Sequence, residues 1–85
     1  MARSGTVAAL NPRRGMVAIR TEDDGFTIVE LLPDWELQVG DEIHWENNYG
    51  LGSEVYENRT KGSRSRVYVQ NHAVGPAILQ QQLRL

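Results

Sequence analysis

The sequence predicts an all-β fold, a small closed barrel of five strands followed by a short C-terminal tail. Short runs rich in Val, Ile and Thr alternate apolar with polar residues, and clusters of Asn, Gly and Pro separate them. Closure is favoured because an open five-stranded sheet would leave two unpaired edges. A chain of 85 residues suits one domain, with the barrel over about residues 5–72 and the tail over 76–85.

The first half of the chain predicts three strands joined by two hairpins. The first strand spans about Gly5–Leu10 and the second about Met16–Thr21. Asn11–Gly15 forms the turn between them, since Asn and Pro favour turn entry and Gly tolerates a positive φ at the exit. Asp24-Gly25 is a strong hairpin signal, and it precedes a third strand over about Phe26–Leu32.

A connection and a fourth strand follow. Pro33 breaks the third strand, and the connection Pro33–Gly40 has room for one helical turn capped by Asp34. Trp35 in this connection is expected to be buried and to close one end of the barrel. The fourth strand, about Glu42–Glu46, alternates so that Trp45 faces the core.

The second half predicts a long loop, a fifth strand and the tail. Residues 47–65 are rich in turn formers and form the loop, with room for a brief strand at Val55-Tyr56. The fifth strand spans about Arg66–Gln70. The tail 77–85 fits either a helix or a strand with leucines along one side, and as a helix it needs a surface to pack on.

Charge is divided into three blocks along the chain. Residues 1–20 carry +4, residues 21–57 carry −11 and residues 58–85 carry +5, giving the overall −2. The chain has no cysteine and no apolar run of membrane-spanning length, so a cytoplasmic protein without membrane partners is expected. The two basic blocks matter for function if the fold brings them together.

Several landmarks resemble the cold-shock domains, a family of OB-type barrels. They cover about residues 5–46 and are Gly5-Thr6-Val7, Asn11, Arg14-Gly15, Ile19, Asp24-Gly25 and Gly40-Asp41-Glu42-Ile43-His44-Trp45. The resemblance implies an OB-like barrel that binds single-stranded RNA or DNA on the outer faces of strands two and three. On this chain those places are Ala9, Met16, Ala18, Thr27 and Val29, none of them aromatic.

Binding of single-stranded nucleic acid is the first functional hypothesis. In an OB-type barrel the loops between strands one and two and between strands four and five flank one binding face, so the basic blocks are expected to share a rim. The predicted site residues are Arg13, Arg14, Met16, Arg20, Arg59, Lys61, Arg64, Arg66 and Tyr68. Tyr68, Tyr49 or Tyr56 would supply base stacking.

A protein-interaction or self-associating barrel without nucleic-acid activity is the alternative. Ala9, Met16, Ala18 and Val29 would form a smooth apolar patch, which the apolar tail would cover within the chain or in a neighbouring copy.

An enzyme is not expected. His44 and Glu46 share a strand face but have no third ligand nearby in sequence, and a solvated polar face is the simpler interpretation. No catalytic residue, metal site or cofactor is therefore predicted.

Overall fold

The computed structural model describes residues 2–21, 25–32, 35–47 and 50–78. Within these ranges the chain forms six strands and one 3₁₀ turn. They are β1 Arg3–Asn11, β2 Met16–Thr21, β3 Gly25–Leu31, β4 Glu42–Trp45, β5 Gly52–Asn58, β6 Ser63–Val74 and the 3₁₀ turn Pro76–Ile78. The predicted all-β closed barrel is confirmed. None of the described residues belongs to a helix long and apolar enough to cross a membrane.

The strands close into a barrel in the order β1-β2-β3-β6-β5-β4, and β4 pairs back onto β1. Every pairing is antiparallel, so the chain makes two three-stranded meanders. The β1–β2 turn, the β3–β4 connection and the β5–β6 turn therefore lie at one end, which we call the mouth. The β2–β3 hairpin, the β4–β5 loop and the end of β6 lie at the other end, the base.

The prediction of five strands is wrong by one, because β5 lies inside the predicted long loop 47–65. The brief strand predicted at Val55-Tyr56 lies within β5, but β5 is longer, and its pattern is mixed: Tyr56 is buried, Val55 faces solvent and Asn58 is fully buried. A polar residue inward and an apolar residue outward hide the strand from a periodicity search. β6 is also longer than the predicted Arg66–Gln70, because its ends are polar.

The barrel interior holds one apolar core. Its members are Val7, Val17, Ile19, Val29, Trp35, Leu37, Ile43, Trp45, Tyr56, Val67 and Val69. Trp45 and Tyr56 stack with ring centroids 4.5 Å apart and planes within 4°. Trp35 closes the mouth as predicted, and its indole Nε1–H donates to Ser63 Oγ over 3.0 Å. Residues 35–40 contain no helical turn, and Asp34 lies outside the described residues.

A second apolar cluster lies on the outside of the sheet. This outer cluster comprises Ala18, Phe26, Ile28 and Val74, with Ala8, Ala9 and Met16 packed against it. The prediction that Thr27 and Val29 face outward is wrong: they are 1% and 0% exposed, and Val29 belongs to the core. Of the predicted apolar patch, Val29 is therefore wrong, whereas Ala9, Met16 and Ala18 do lie together in the outer cluster, with Ala18 fully buried. The alternatives for residues 79–85 lie outside the described residues.

Two bulges in β6 shape the base. Between the pairs Val29↔Val69 and Phe26↔Val74 the register with β3 shifts twice, which adds two residues to β6. The shifts turn the His72 side chain toward Thr27, with Nδ1 and Thr27 Oγ1 3.0 Å apart. Nε2–H of His72 donates to the Gly50 carbonyl over 3.0 Å. Ala73, in the bulge, has φ 56°, unusual for a residue other than Gly.

We expect Gly25→Ala to lower the free energy of unfolding by more than about 2 kcal/mol. Gly25 has φ +81°, which costs an L-residue roughly 1–2 kcal/mol, and its Cβ would lie 2.6 Å from the Val74 carbonyl oxygen. Gly62 has φ +71° with open space around it, so Gly62→Ala should cost only the conformational part. Urea unfolding of both variants tests this, and equal losses would contradict the close approach of Val74.

We expect Tyr56→Phe to leave stability unchanged or to raise it by about 1 kcal/mol. The Tyr56 hydroxyl is buried without a hydrogen-bond partner among the described residues, and burial raises its pKa far above the ordinary value. Removing an unsatisfied polar group recovers its desolvation cost while the ring stack remains. Thermal unfolding is the measurement, with exposed Tyr68→Phe as the control. A clear loss of stability would mean that the hydroxyl is hydrogen-bonded.

Candidate functional site

The two predicted basic segments lie at the mouth but on opposite sides of it. Arg13 and Arg14 occupy the β1–β2 turn, and Arg59 and Lys61 occupy the β5–β6 turn. In the strand order these turns face each other across the barrel, and residues 35–41 of the β3–β4 connection run between them. The expectation of a shared end therefore holds, but the cations do not form one continuous patch.

Arg59 and Lys61 are held by carboxylates. Arg59 Nε lies 3.3 Å from Glu57 Oε1, and Lys61 Nζ lies 3.3 Å from Asp41 Oδ2. Asp41 is 4% exposed and also accepts hydrogen bonds from Asn58 Nδ2 at 2.8 Å and from the Gln38 backbone N–H at 2.9 Å. We call Gln38, Asp41, Asn58 and Lys61 the mouth clasp, because they tie the connection to the β5–β6 turn.

The mouth clasp also determines the charge of Asp41. Burial raises the pKa of Asp41, but the hydrogen bonds from Gln38, Asn58 and Lys61 outweigh burial and hold the pKa below its ordinary value. Asp41 is therefore ionised at neutral pH and neutralises Lys61 locally. The Lys61 ammonium group therefore makes a structural ion pair.

Arg20 is separated from the other predicted site residues. It pairs with Thr6 and Phe26 in the lower half of β2, near the base. Its guanidinium lies 6.0 Å from the centroid of the Phe26 ring, which is a cation–π distance. The prediction that Arg20 belongs with the basic loops in one site is wrong, because Arg20 lies toward the base whereas those loops lie at the mouth.

Arg64, Arg66 and Tyr68 form an exposed line on the outside of β6. Alternate residues on a strand are roughly 7 Å apart on one face. Tyr68 is 53% exposed and lies between Glu30 on β3 and Ser53 on β5. We call Arg64, Arg66 and Tyr68, with these two flanking residues, the arginine–tyrosine face.

Hydrogen bonds fix the edges of the arginine–tyrosine face. Arg66 Nη1 donates to Ser53 Oγ over 3.2 Å, which holds the guanidinium along the sheet surface. Gln70 Nε2 donates to Glu30 Oε1 over 3.1 Å, which engages one oxygen of the nearest carboxylate. The face is therefore a partly ordered surface with an aromatic ring at its centre.

The β1–β2 turn adjoins this face. Met16 pairs with Glu30, and Glu30 pairs with Tyr68, so Met16 and Tyr68 lie two strands apart, about 10 Å. Leu31 N–H donates to the Gly15 carbonyl over 2.7 Å, which holds the turn against the end of β3. Of the predicted site residues, Arg14 and Met16 are thus on the same side of the barrel as Arg64, Arg66 and Tyr68.

Sequence reasoning missed two exposed apolar neighbours of the face. Leu32 is 49% exposed at the end of β3, and Val55 is 44% exposed on β5 opposite Arg66. Val55 would have been found only by recognising β5. Tyr56 is buried in the core and is not a stacking group, and Tyr49 lies outside the described residues.

A half-open groove of about 440 Å³ lies at the mouth between the β1–β2 hairpin and the connection. Leu10, Leu31, Trp35 and Leu37 contribute apolar surface, and Glu36 is the charged residue among the described lining. Barrel mouths are common places for ligand grooves. Met16 and the exposed Leu32 also line this groove.

His44 on β4 is half-buried, and its Nε2 donates to Oε2 of the exposed Glu46, the residue after β4, over 2.7 Å. This hydrogen bond lowers the pKa of Glu46. The described part of the chain contains no cluster of three His, Cys, Asp or Glu side chains suited to a metal ion. The pair is thus a surface contact.

Comparison of the chain with protein-family models, with curated proteins and with solved structures finds no match. The cold-shock resemblance therefore stays a prediction, and function has to be argued from the surface itself.

We expect Asp41→Asn to lower the free energy of unfolding by about 2 kcal/mol at pH 7, because the hydrogen bonds that Asp41 accepts are made to a charged group. The lowered pKa of Asp41 means that its stabilisation is present above the unfolded value, about pH 4, and is lost as pH falls through the folded value. The gap between wild type and variant should therefore narrow below about pH 4.

Urea unfolding from pH 7 to pH 2.5 measures this gap. Glu42→Gln, which removes the neighbouring exposed carboxylate, is the control and should change stability little. A gap that stays constant down to the lowest pH would contradict the ionised mouth clasp.

Proposed function

We propose that this protein is a small non-enzymatic module that binds single-stranded RNA or DNA on the arginine–tyrosine face. The observation that carries the proposal is Tyr68, an exposed aromatic ring on a rigid strand with two arginines in line with it. A base would stack on Tyr68, and successive phosphates would contact Arg66 and Arg64, with Arg14 extending the track. The cysteine-free composition suits action in the cytoplasm.

Local charge supports this surface in spite of the net charge of −2. Neither Arg64 nor Arg66 makes an ion pair within the described ranges, whereas Arg59 and Lys61 do. Glu30 is the acidic neighbour of Tyr68, and Gln70 engages it. With few phosphate contacts and one stacking ring, we expect weak binding that depends strongly on salt.

The resemblance to cold-shock domains supports the class of ligand but not the same surface. In that family the outer faces of strands two and three carry the stacking aromatics. Here Phe26, the outward aromatic of β3, is 9% exposed within the outer cluster. Binding would therefore move around the barrel to β6, where the exposed aromatic lies.

Protein binding is a second candidate for the same surface. Leu32, Val55 and Tyr68 surround Arg66 with exposed apolar area. Tyr and Arg are enriched among the residues that dominate protein interfaces. A self-associating barrel would use this face and not the predicted patch around Ala18, which is buried.

Fluorescence anisotropy with labelled twelve-nucleotide U and dT strands at low salt tests the proposal. We expect Tyr68→Ala to weaken binding by roughly 5- to 150-fold, since stacking contributes about 1–3 kcal/mol per base. Arg64→Gln with Arg66→Gln should reduce the slope of log affinity against log salt by about 0.7 for each phosphate that the protein no longer neutralises. Arg20→Gln removes one positive charge at the base, as the single change Arg66→Gln does on the face, and should bind as wild type does.

Anisotropy that stays flat to high micromolar protein would remove the nucleic-acid proposal. An Arg20→Gln loss equal to that of Arg66→Gln would show general charge attraction without a defined site. Sedimentation of the same samples addresses the second candidate. A dimer that Tyr68→Ala dissociates, together with absent oligonucleotide binding, would favour the protein interface.

A further inference from the structure

The two sides of the exposed Tyr68 ring differ in hydrogen-bonding character. Arg66 lies two residues before Tyr68 on β6 and Gln70 two residues after it, each roughly 7 Å away along the strand. Arg66 presents N–H donors and a positive charge. On the other side Gln70 Nε2 donates to Glu30 Oε1 over 3.1 Å, and Glu30 is the β3 residue that pairs with Tyr68. A guanidinium and a carboxylate therefore flank the same ring.

The hydrogen bond between Gln70 and Glu30 determines which groups this side offers to a ligand. An ionised carboxylate only accepts, so the Gln70 amide directs its NH₂ group, and not its carbonyl, toward Glu30. Glu30 Oε1 keeps a second lone pair, and no described residue donates to Glu30 Oε2. The Gln70 NH₂ group also has a second N–H. Beside Tyr68 there is thus one donor next to two carboxylate acceptors.

This set of groups matches the Watson–Crick edge of one base. Guanine presents the O6 acceptor, the N1–H donor and the N2 amino donor in that order. Its two adjacent donors fit the two oxygens of the Glu30 carboxylate, and O6 can accept from Gln70. Adenine, cytosine and uracil each place an acceptor beside their donor, and that acceptor would face a carboxylate oxygen. Of the common bases, only guanine satisfies all of these groups.

Arg66 determines which edge of a stacked base points toward Glu30. In a nucleotide the sugar and phosphate are attached on the side of the base away from its Watson–Crick edge. A phosphate held by Arg66 on one side of Tyr68 therefore directs that edge toward the carboxylate on the other side. Arg66 is itself held along the sheet by its hydrogen bond to Ser53 Oγ.

We infer that the base stacked on Tyr68 is guanine, held at its Watson–Crick edge by Glu30 and Gln70; this rests on the proposed binding of single-stranded nucleic acid by the same face. Glu30 then has two effects on affinity. Its negative charge repels the phosphates of every strand, whereas its hydrogen bonds reward guanine alone. Selectivity therefore comes from weakened binding of other sequences as well as from the guanine contact.

Five-nucleotide RNA strands test the base, because short strands limit the number of alternative registers. NMR titration of the ¹⁵N-enriched protein at low salt compares UUUUU with UUGUU, UUAUU and UUIUU, where I is inosine, which lacks the N2 amino group. We expect UUGUU to bind roughly 5- to 150-fold more tightly than UUUUU, the range for a bidentate base contact. UUIUU should lose most of this gain. UUAUU, a control for the stacking area of a purine, should gain less than UUGUU.

Glu30→Gln separates the base contact from stacking. The variant should bind UUUUU at least as tightly as wild type does, because a negative charge near the phosphates is removed, but should lose most of the preference for UUGUU. Glu42→Gln is the matched control, since it removes a carboxylate on β4, opposite β3 in the barrel, and should keep the preference.

Three results would overturn the guanine assignment while leaving the proposed function in place, provided that binding still depends on Tyr68. They are equal affinity for UUGUU and UUUUU, an equal gain with UUAUU, and an unchanged guanine preference in Glu30→Gln. Failure of every strand to bind would overturn the proposed function itself, and the guanine assignment with it.

Discussion

The structure depends on β1 pairing with two strands. Its first residues, Arg3–Thr6, pair with β4, and Thr6–Asn11 pair with β2. This double pairing joins the two meanders and removes both sheet edges, which would otherwise be free to aggregate. Gly5 lies where the backbone turns past Arg20, and a Cβ there would meet the Ile19 side chain at 2.7 Å. The absence of that one carbon allows the barrel to close.

Closure of the barrel determines which positive charges are paired with carboxylates and which stay exposed. β3 ends at the mouth, and β4 lies opposite β3 in the closed strand order. The β3–β4 connection therefore has to cross the mouth. Asp41 holds that connection by neutralising Lys61 and accepting from Asn58. Arg59 and Lys61 of the β5–β6 turn are thus ion-paired, whereas Arg64 and Arg66 of β6 are exposed. Part of the second basic block is therefore structural.

The sequence predicts those elements whose inward residues are apolar. Met16–Thr21 is predicted with its observed bounds, and the inward positions of Trp45, Val67 and Val69 follow from simple alternation. The full length of β5 is not predicted from the sequence, because one of its buried positions is Asn58, whose side chain donates a hydrogen bond to Asp41. The orientation of β3 is misjudged for a related reason.

Thr27 can face inward because its hydroxyl donates to Nδ1 of His72, which lies 45 residues away in the chain and is not revealed by any local pattern. In the candidate site, the outward positions of Arg66 and Tyr68 can be predicted from the alternation of a single strand. The ion pairs of Arg59 and Lys61 could not be predicted from the sequence, because they depend on which carboxylates the fold brings near these cations.

The paired bulges of β6 have a consequence for chain length. One extra residue would invert the inside–outside order of everything after it, whereas two restore that order at Val74. His72 then faces the base and Val74 faces outward from one continuous strand. Natural insertions and deletions between Gln70 and Val74 should therefore be tolerated in steps of two residues, since an odd step would move Val74 off the outer face to which it belongs.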